Sequence, residues 1–244
     1  MNYRQKYLSA WLLGIAALVG GASPAFAAAA PLLRSASGFA VLSAASGGGG
    51  AVTCTDSTIT GDVGSSGFPA AVVQTRCTIT GAIIAPVSAQ VLTDFNSAYD
   101  ALAAVSCDQT LTGTLAGVTL APGVYCFDAA ATLTGTLTLA GPSNGIWIFK
   151  IGTSGTGALT GTNFSVVMAN GALACNVYWR LAEGATMTTS DFKGSLLAGA
   201  AITITGGTFA GRALATAAVT LTGVAATGCG NQGVRPTDQL YPFR

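Results

Sequence analysis

Histidine is absent from this chain, and charge is scarce. Lys, Arg, Asp and Glu make up 8% of 244 residues, against about 25% in an ordinary domain. The net charge is +1. That leaves no basic footprint for nucleic acid and no acidic one for a cationic partner. Without histidine and without a Cys-x-x-Cys pair, a zinc site is not expected, and no other metal or cofactor is. The acids are scattered as Asp56, Asp62, Asp94, Asp100, Asp108, Asp128, Glu183, Asp191 and Asp238. Glycoside hydrolysis needs paired carboxylates, so an enzyme is not expected. Asp62, beside a glycine, reads as a turn residue, and Asp94 and Asp100 as solvated helix positions.

A positive start at Arg4 and Lys6, an apolar run from Leu8 to Val19 and the small-x-small pattern Ala25-Phe26-Ala27 mark residues 1–27 as a signal peptide. The apolar run is short for a membrane span, and no later stretch resembles a membrane helix. The expected product is secreted, extracellular and not membrane-bound. Its domain would cover 28–230, followed by a polar, proline-containing tail at 231–244.

What is present is repetition. Ile202-Thr203-Ile204-Thr205-Gly206 is echoed seventeen residues later by Val219-Thr220-Leu221-Thr222-Gly223, with Phe192 matching Phe209 and Gly194 matching Gly211 at the same offset. One step back stands Thr186-Met187-Thr188. Upstream copies are Thr58-Ile59-Thr60-Gly61, Thr78-Ile79-Thr80-Gly81, Thr110-Leu111-Thr112-Gly113 and Thr132-Leu133-Thr134-Gly135, with a weakened one at Ala158-Leu159-Thr160-Gly161. Val52-Thr53-Cys54-Thr55 leads into the first of them. Units of this length indicate a stacked architecture in which each coil buries its apolar side against its neighbours.

Successive side chains of a strand point to opposite faces. With the aliphatic residue inward, both threonines point outward, and stacked copies make two ranks of stiff, β-branched, uncharged side chains. The expected surface comprises Thr58, Thr60, Thr78, Thr80, Thr110, Thr112, Thr132, Thr134, Thr186, Thr188, Thr203, Thr205, Thr220 and Thr222. For a single copy, exposed threonine is merely a good strand residue; repetition without charge favours a built surface.

Residues 87–106 break the pattern. Val91, Phe95, Tyr99, Leu102 and Val105 recur at helical spacing after Pro86, and Ser88 can cap the start. A helix is predicted there, its apolar stripe laid on the side of the solenoid. Ile146-Trp147-Ile148-Phe149 and Val177-Tyr178-Trp179 read as buried strands. Six cysteines in an exported chain suggest disulfides, for which fifteen pairings exist. The expected set is Cys54–Cys77, Cys107–Cys126 and Cys175–Cys229: the first two close coil-sized loops and the third ties the last coils together.

Several segments resemble the DUF3494 family of ice-binding proteins. They are Phe39-Ala40-Val41-Leu42, Ile59-Thr60-Gly61-Asp62-Val63-Gly64, Ala121-Pro122-Gly123-Val124-Tyr125, Trp147-Ile148-Phe149-Lys150-Ile151, Ala174-Cys175-Asn176-Val177-Tyr178-Trp179 and Gly211-Arg212-Ala213-Leu214-Ala215. The resemblance implies an all-β-dominated fold: a right-handed, discontinuous β-solenoid of triangular cross-section with one long helix packed alongside. It implies that coils stack out of chain order, and that a flat face of parallel strands, including those of Thr203 and Thr220, binds the surface of ice. A capping insertion carried by some members does not fit before the helix, so disulfides are expected to close that end. The expected partner is an ice surface, met by a monomer; the alternative is an extracellular adhesion or structural module on the same solenoid.

Overall fold

The computed structural model describes residues 28–230; the expected signal peptide and tail lie outside them. Strands form because apolar and threonine residues alternate. In Val219–Thr222, Val219 and Leu221 are buried while Thr220 and Thr222 are half-exposed. Every pairing between strands is parallel.

The strands stack in three ranks around one core. The first runs Ile83–Ile84, Asp62–Ser65, Phe39–Ser43, Ala213–Ala215, Ser195–Ala198, Val177–Leu181, Trp147–Ile151, Gly123–Phe127, Gln109–Thr110. The second and third belong to one larger sheet that bends between them. Ala131–Ala140, Leu159–Ala169, Ala185–Lys193 and Ile202–Ala210 cross the bend as single strands. Val52–Thr55 with Thr58–Thr60, Val72–Thr75 with Thr78–Ile79, and Val219–Thr222 with Ala225–Thr227 cross it as pairs. At the bend each of these coils places a left-handed residue, Gly135, Asn163, Thr189, Gly206, Gly223, Asp56 or Arg76, with φ from 47° to 68°, and Gly207 at φ 81° follows Gly206. Glycine follows Thr-x-Thr in several copies because that backbone carries no Cβ penalty there.

The stacking order is not the chain order. Phe39–Ser43 lies between Asp62–Ser65 and Ala213–Ala215, so the first coil stacks on the last. The chain must then travel from Ile84 at one end to Gln109 at the other. Eight strand steps of about 4.8 Å amount to roughly 38 Å. The helix Ala89–Ala104 supplies about 24 Å of that, and four residues on either side supply the rest.

Val91, Phe95, Ala98 and Leu102 of the helix are buried against outward side chains of the first rank, among them Leu42, Ile148, Tyr178, Leu197 and Leu214. Tyr99 donates to Leu181 O (2.8 Å). Lys150 Nζ reaches the helix C-terminus, donating to Ala103 O (2.8 Å) and Val105 O (2.6 Å), where a cation meets the negative end of the helix dipole. Ser88 holds the N-cap position without a side-chain bond. Asp94 is not solvated as its spacing suggested. It is buried, accepting from Ser35 N (3.1 Å), Ser35 Oγ (2.5 Å) and Gln90 Nε2 (2.9 Å). It ties the N-terminal segment to the helix.

Inside the solenoid, Phe149 stacks on Trp179 with ring centroids 3.8 Å apart, and Phe192 on Phe209 at 5.8 Å. Trp147 and Trp179 are fully buried. The disulfides are Cys54–Cys77, Cys107–Cys126 and Cys175–Cys229. The first two secure the coils nearest the two ends.

Candidate binding surface

The second rank carries the densest threonine array. Along it, Thr132, Thr160, Thr186, Thr203, Thr220 and Thr53 stand side by side, and Val73 completes the row. Two residues further along each strand, Thr162, Thr188, Thr205, Thr222, Thr55 and Thr75 make a second row. Thr134 extends it at the edge, where the pairing register shifts. Strand geometry spaces neighbours in a row by about 4.8 Å and the rows by about 6.6 Å.

Beneath the array the inward residues are Leu133, Gly161, Met187, Ile204, Leu221 and Cys54, all buried. Gly161 stands where its neighbours carry a side chain, and the Met187 sulfur occupies the room it leaves. None of these seven strand segments contains a charged residue. On the bend beside the array, Asp56 and Arg76 pair with each other, with Arg76 Nη2 2.7 Å from Asp56 Oδ2. The hydrogen bond from Arg76 holds the Asp56 carboxyl below its ordinary pKa.

Not every predicted threonine joins this array. Thr58, Thr60, Thr78 and Thr80 belong to the third rank, at its end. The middle of that rank is mixed: Ala225 and Thr227, then Thr208 and Ala210, then Asp191 and Lys193, then Ser165 and Val167. Lys193 and Thr208 both donate to the Asp191 carboxylate. Burial pushes the pKa of Asp191 up, but these two bonds outweigh it and hold it below the ordinary value. Thr110 pairs beside Cys126 at the edge of the first rank, and Thr112 lines a cleft with Asp128 and Thr132 at that end.

Five array members, Thr53, Thr55, Thr75, Thr160 and Thr162, fall outside the threonines expected from sequence. Thr53 and Thr55 flank Cys54, which takes the inward place of an aliphatic residue. Thr75 follows Val73-Gln74. Thr160 and Thr162 belong to the weakened copy, whose register is Thr160-Gly161-Thr162, two residues on from Ala158-Leu159-Thr160-Gly161. Accepting small or sulfur-bearing residues at the inward position would have found four of the five.

The profile of the family described as Ice-binding-like matches residues 42–227. The chain belongs to the ice-binding protein family. It is 39% identical over 215 residues to an ice-binding protein of Nostoc sp. (strain HG1), an alignment covering 84% of this chain and 74% of that protein. Among solved structures it is similar to an ice-binding protein from the Antarctic ascomycete Antarctomyces psychrotrophicus, with 32% identity, TM-score 0.71, and coverage of 82% of this chain and 98% of that one. An ice-binding protein from an Antarctic biological consortium gives 33% identity and TM-score 0.70, covering 81% and 91%. These likenesses put the chain in the β-helical fold of the ice-binding family. The segments whose resemblance pointed to the family include Trp147–Ile151 and residues 174–179, the latter running into the adjacent strand of the first rank.

Proposed function

We propose that this is a secreted ice-binding protein that adsorbs to ice through the second rank of strands, inhibiting ice growth and recrystallisation. The observation that carries the reading is the two-row array of outward threonines on uncharged parallel strands. Threonine methyls leave room for caged water and hydroxyls anchor it, so the rigid array orders a water layer that merges with the crystal. Immobilising each ordered water costs at most about 2 kcal/mol, and a pre-ordered face repeats that contact many times. A buried charge is costly without a partner; the array offers ice none, whereas the third rank carries the Asp191–Lys193 pair.

Three strand ranks around one core support a triangular cross-section, which we take with the right-handed winding of a β-solenoid. The three disulfides support export to an oxidising compartment. The protein acts as a monomer on ordered water, without cofactor, nucleic acid or membrane. Growth of single ice crystals in a solution of the purified protein tests the function. Faceted, slowed crystals are the expected result. Crystals indistinguishable from those in buffer would leave the adhesion or structural module instead.

A further inference from the structure

In the coil 147–169 the left-handed bend residue is Asn163. It is exposed, directly follows Thr162, and its carboxamide makes no hydrogen bond among the described residues. Asn163-Phe164-Ser165 is an Asn-x-Ser triplet without proline in the middle, the acceptor pattern for N-linked glycosylation of exported chains. Asn2, Asn96, Asn144, Asn170, Asn176 and Asn231 are not followed two residues later by Ser or Thr.

We propose that Asn163 is the acceptor of an N-linked oligosaccharide, added during export before its coil closes. This rests on the export reading above. In the transfer, the Asn163 amide nitrogen attacks the anomeric carbon of a lipid-pyrophosphate-linked oligosaccharide. A C–N bond forms, the C–O bond to the pyrophosphate breaks, the amide gives one proton to the transferase, and the lipid pyrophosphate leaves.

The fold sets the timing. Once folded, Phe164 is fully buried, its ring 6.4 Å from Phe192, and its N–H donates to Ser190 Oγ (3.2 Å). The triplet is then bent and locked. Both partners lie downstream, so the triplet stays open until the chain through Phe192 has emerged. No disulfide closes over it earlier, because Cys175 waits for Cys229. The sugar would stand on the rim of the array beside Thr162, hydrated and mobile, where it holds ice away from the neighbouring rows.

The test secretes the full chain from a yeast behind that host's own leader, with Asn163→Gln and Ser165→Ala alongside, reading cells and medium together. For the parent, the expected result is a slower-migrating species that N-glycosidase collapses, absent from both variants. A parent without that species, or a species that persists in Asn163→Gln, overturns the proposal. Ser165→Ala keeps the asparagine at the bend, so loss of sugar there cannot come from strain at residue 163. Ice shaping is compared separately between glycosylated parent and Ser165→Ala. Weaker shaping by the parent is expected, and equal shaping would count against the second rank as the ice face while leaving the acceptor site standing.

Discussion

Thr203 stands directly beside Thr220 on the adjacent parallel strand, and two residues along Thr205 stands beside Thr222. The inward residues between them, Ile204 and Leu221, are buried side by side. The two strands therefore present matched outward pairs at matched height, so under the proposed function a ring raised on any one of them would lift ice off its neighbours.

Thr220→Tyr should abolish most ice shaping and freezing-point depression. Its side chain points outward, so stability should change by about 0.5 kcal/mol or less. Asp100, exposed on the helix, gives the matched control: Asp100→Tyr should leave activity intact. A folded Thr220→Tyr protein with full activity in crystal-growth microscopy would show that the array is not the ice face.

Thr58 bears the same local motif but lies on the third rank. Thr58→Tyr should keep nearly full activity under the same microscopy. Equal damage from Thr58→Tyr and Thr220→Tyr would mean that both ranks meet ice.

Thr189 turns the bend at φ 48°, where other coils use Gly206 and Gly223. A left-handed conformation costs a residue with a Cβ roughly 1–2 kcal/mol, and β-branching makes it a marked outlier. Glycine returns about 0.5–1 kcal/mol of that as backbone entropy. Thr189→Gly should raise the denaturation midpoint by an amount equivalent to about 0.5–1 kcal/mol; a lowered midpoint would contradict the strain.

Cys54–Cys77 spans 23 residues and joins the outermost coil to the next. Replacing both cysteines with alanine should cost about 3 kcal/mol. Amides of residues 62–84 should gain exchange before those of the central coils. Thiol titration of the unreduced, unfolded parent should find no free cysteine.

Hydrogen bonds from Ser35, and then from Gln90, hold the Asp94 carboxyl below its ordinary pKa against the opposing effect of burial. The folded chain thus binds fewer protons than the unfolded one in that range, and stability rises with pH across it. The contribution is present above about pH 3.9, the unfolded carboxyl value, and is lost as pH falls through the folded one. Asp94→Asn should therefore be less stable than the parent near neutrality, and the gap between their urea midpoints should close in acid. A gap constant with pH would rule out the charged form as the stabilising one.

Sequence alone determined which side of each strand faces the core, because alternation at period two leaves aliphatic residues one face and threonines the other. It also determined the helix, since Val91, Phe95 and Leu102 at 3.6-residue spacing give one apolar stripe, and the family, through segments spread along nearly the whole domain. Tertiary structure alone decided which threonines share a surface. Thr-x-Thr-Gly suits either bend of a coil: Gly206 and Gly223 turn from the second rank to the third at φ 67° and 65°, whereas Gly61 turns from the third to the first at φ 128°. Glycine accepts both conformations, so the motif cannot announce which turn it makes. Nor could local pattern reveal Thr53 and Thr55 as neighbours of Thr220 and Thr222. That adjacency exists because the helix carries the chain back to the far end and the last coil then closes on the first.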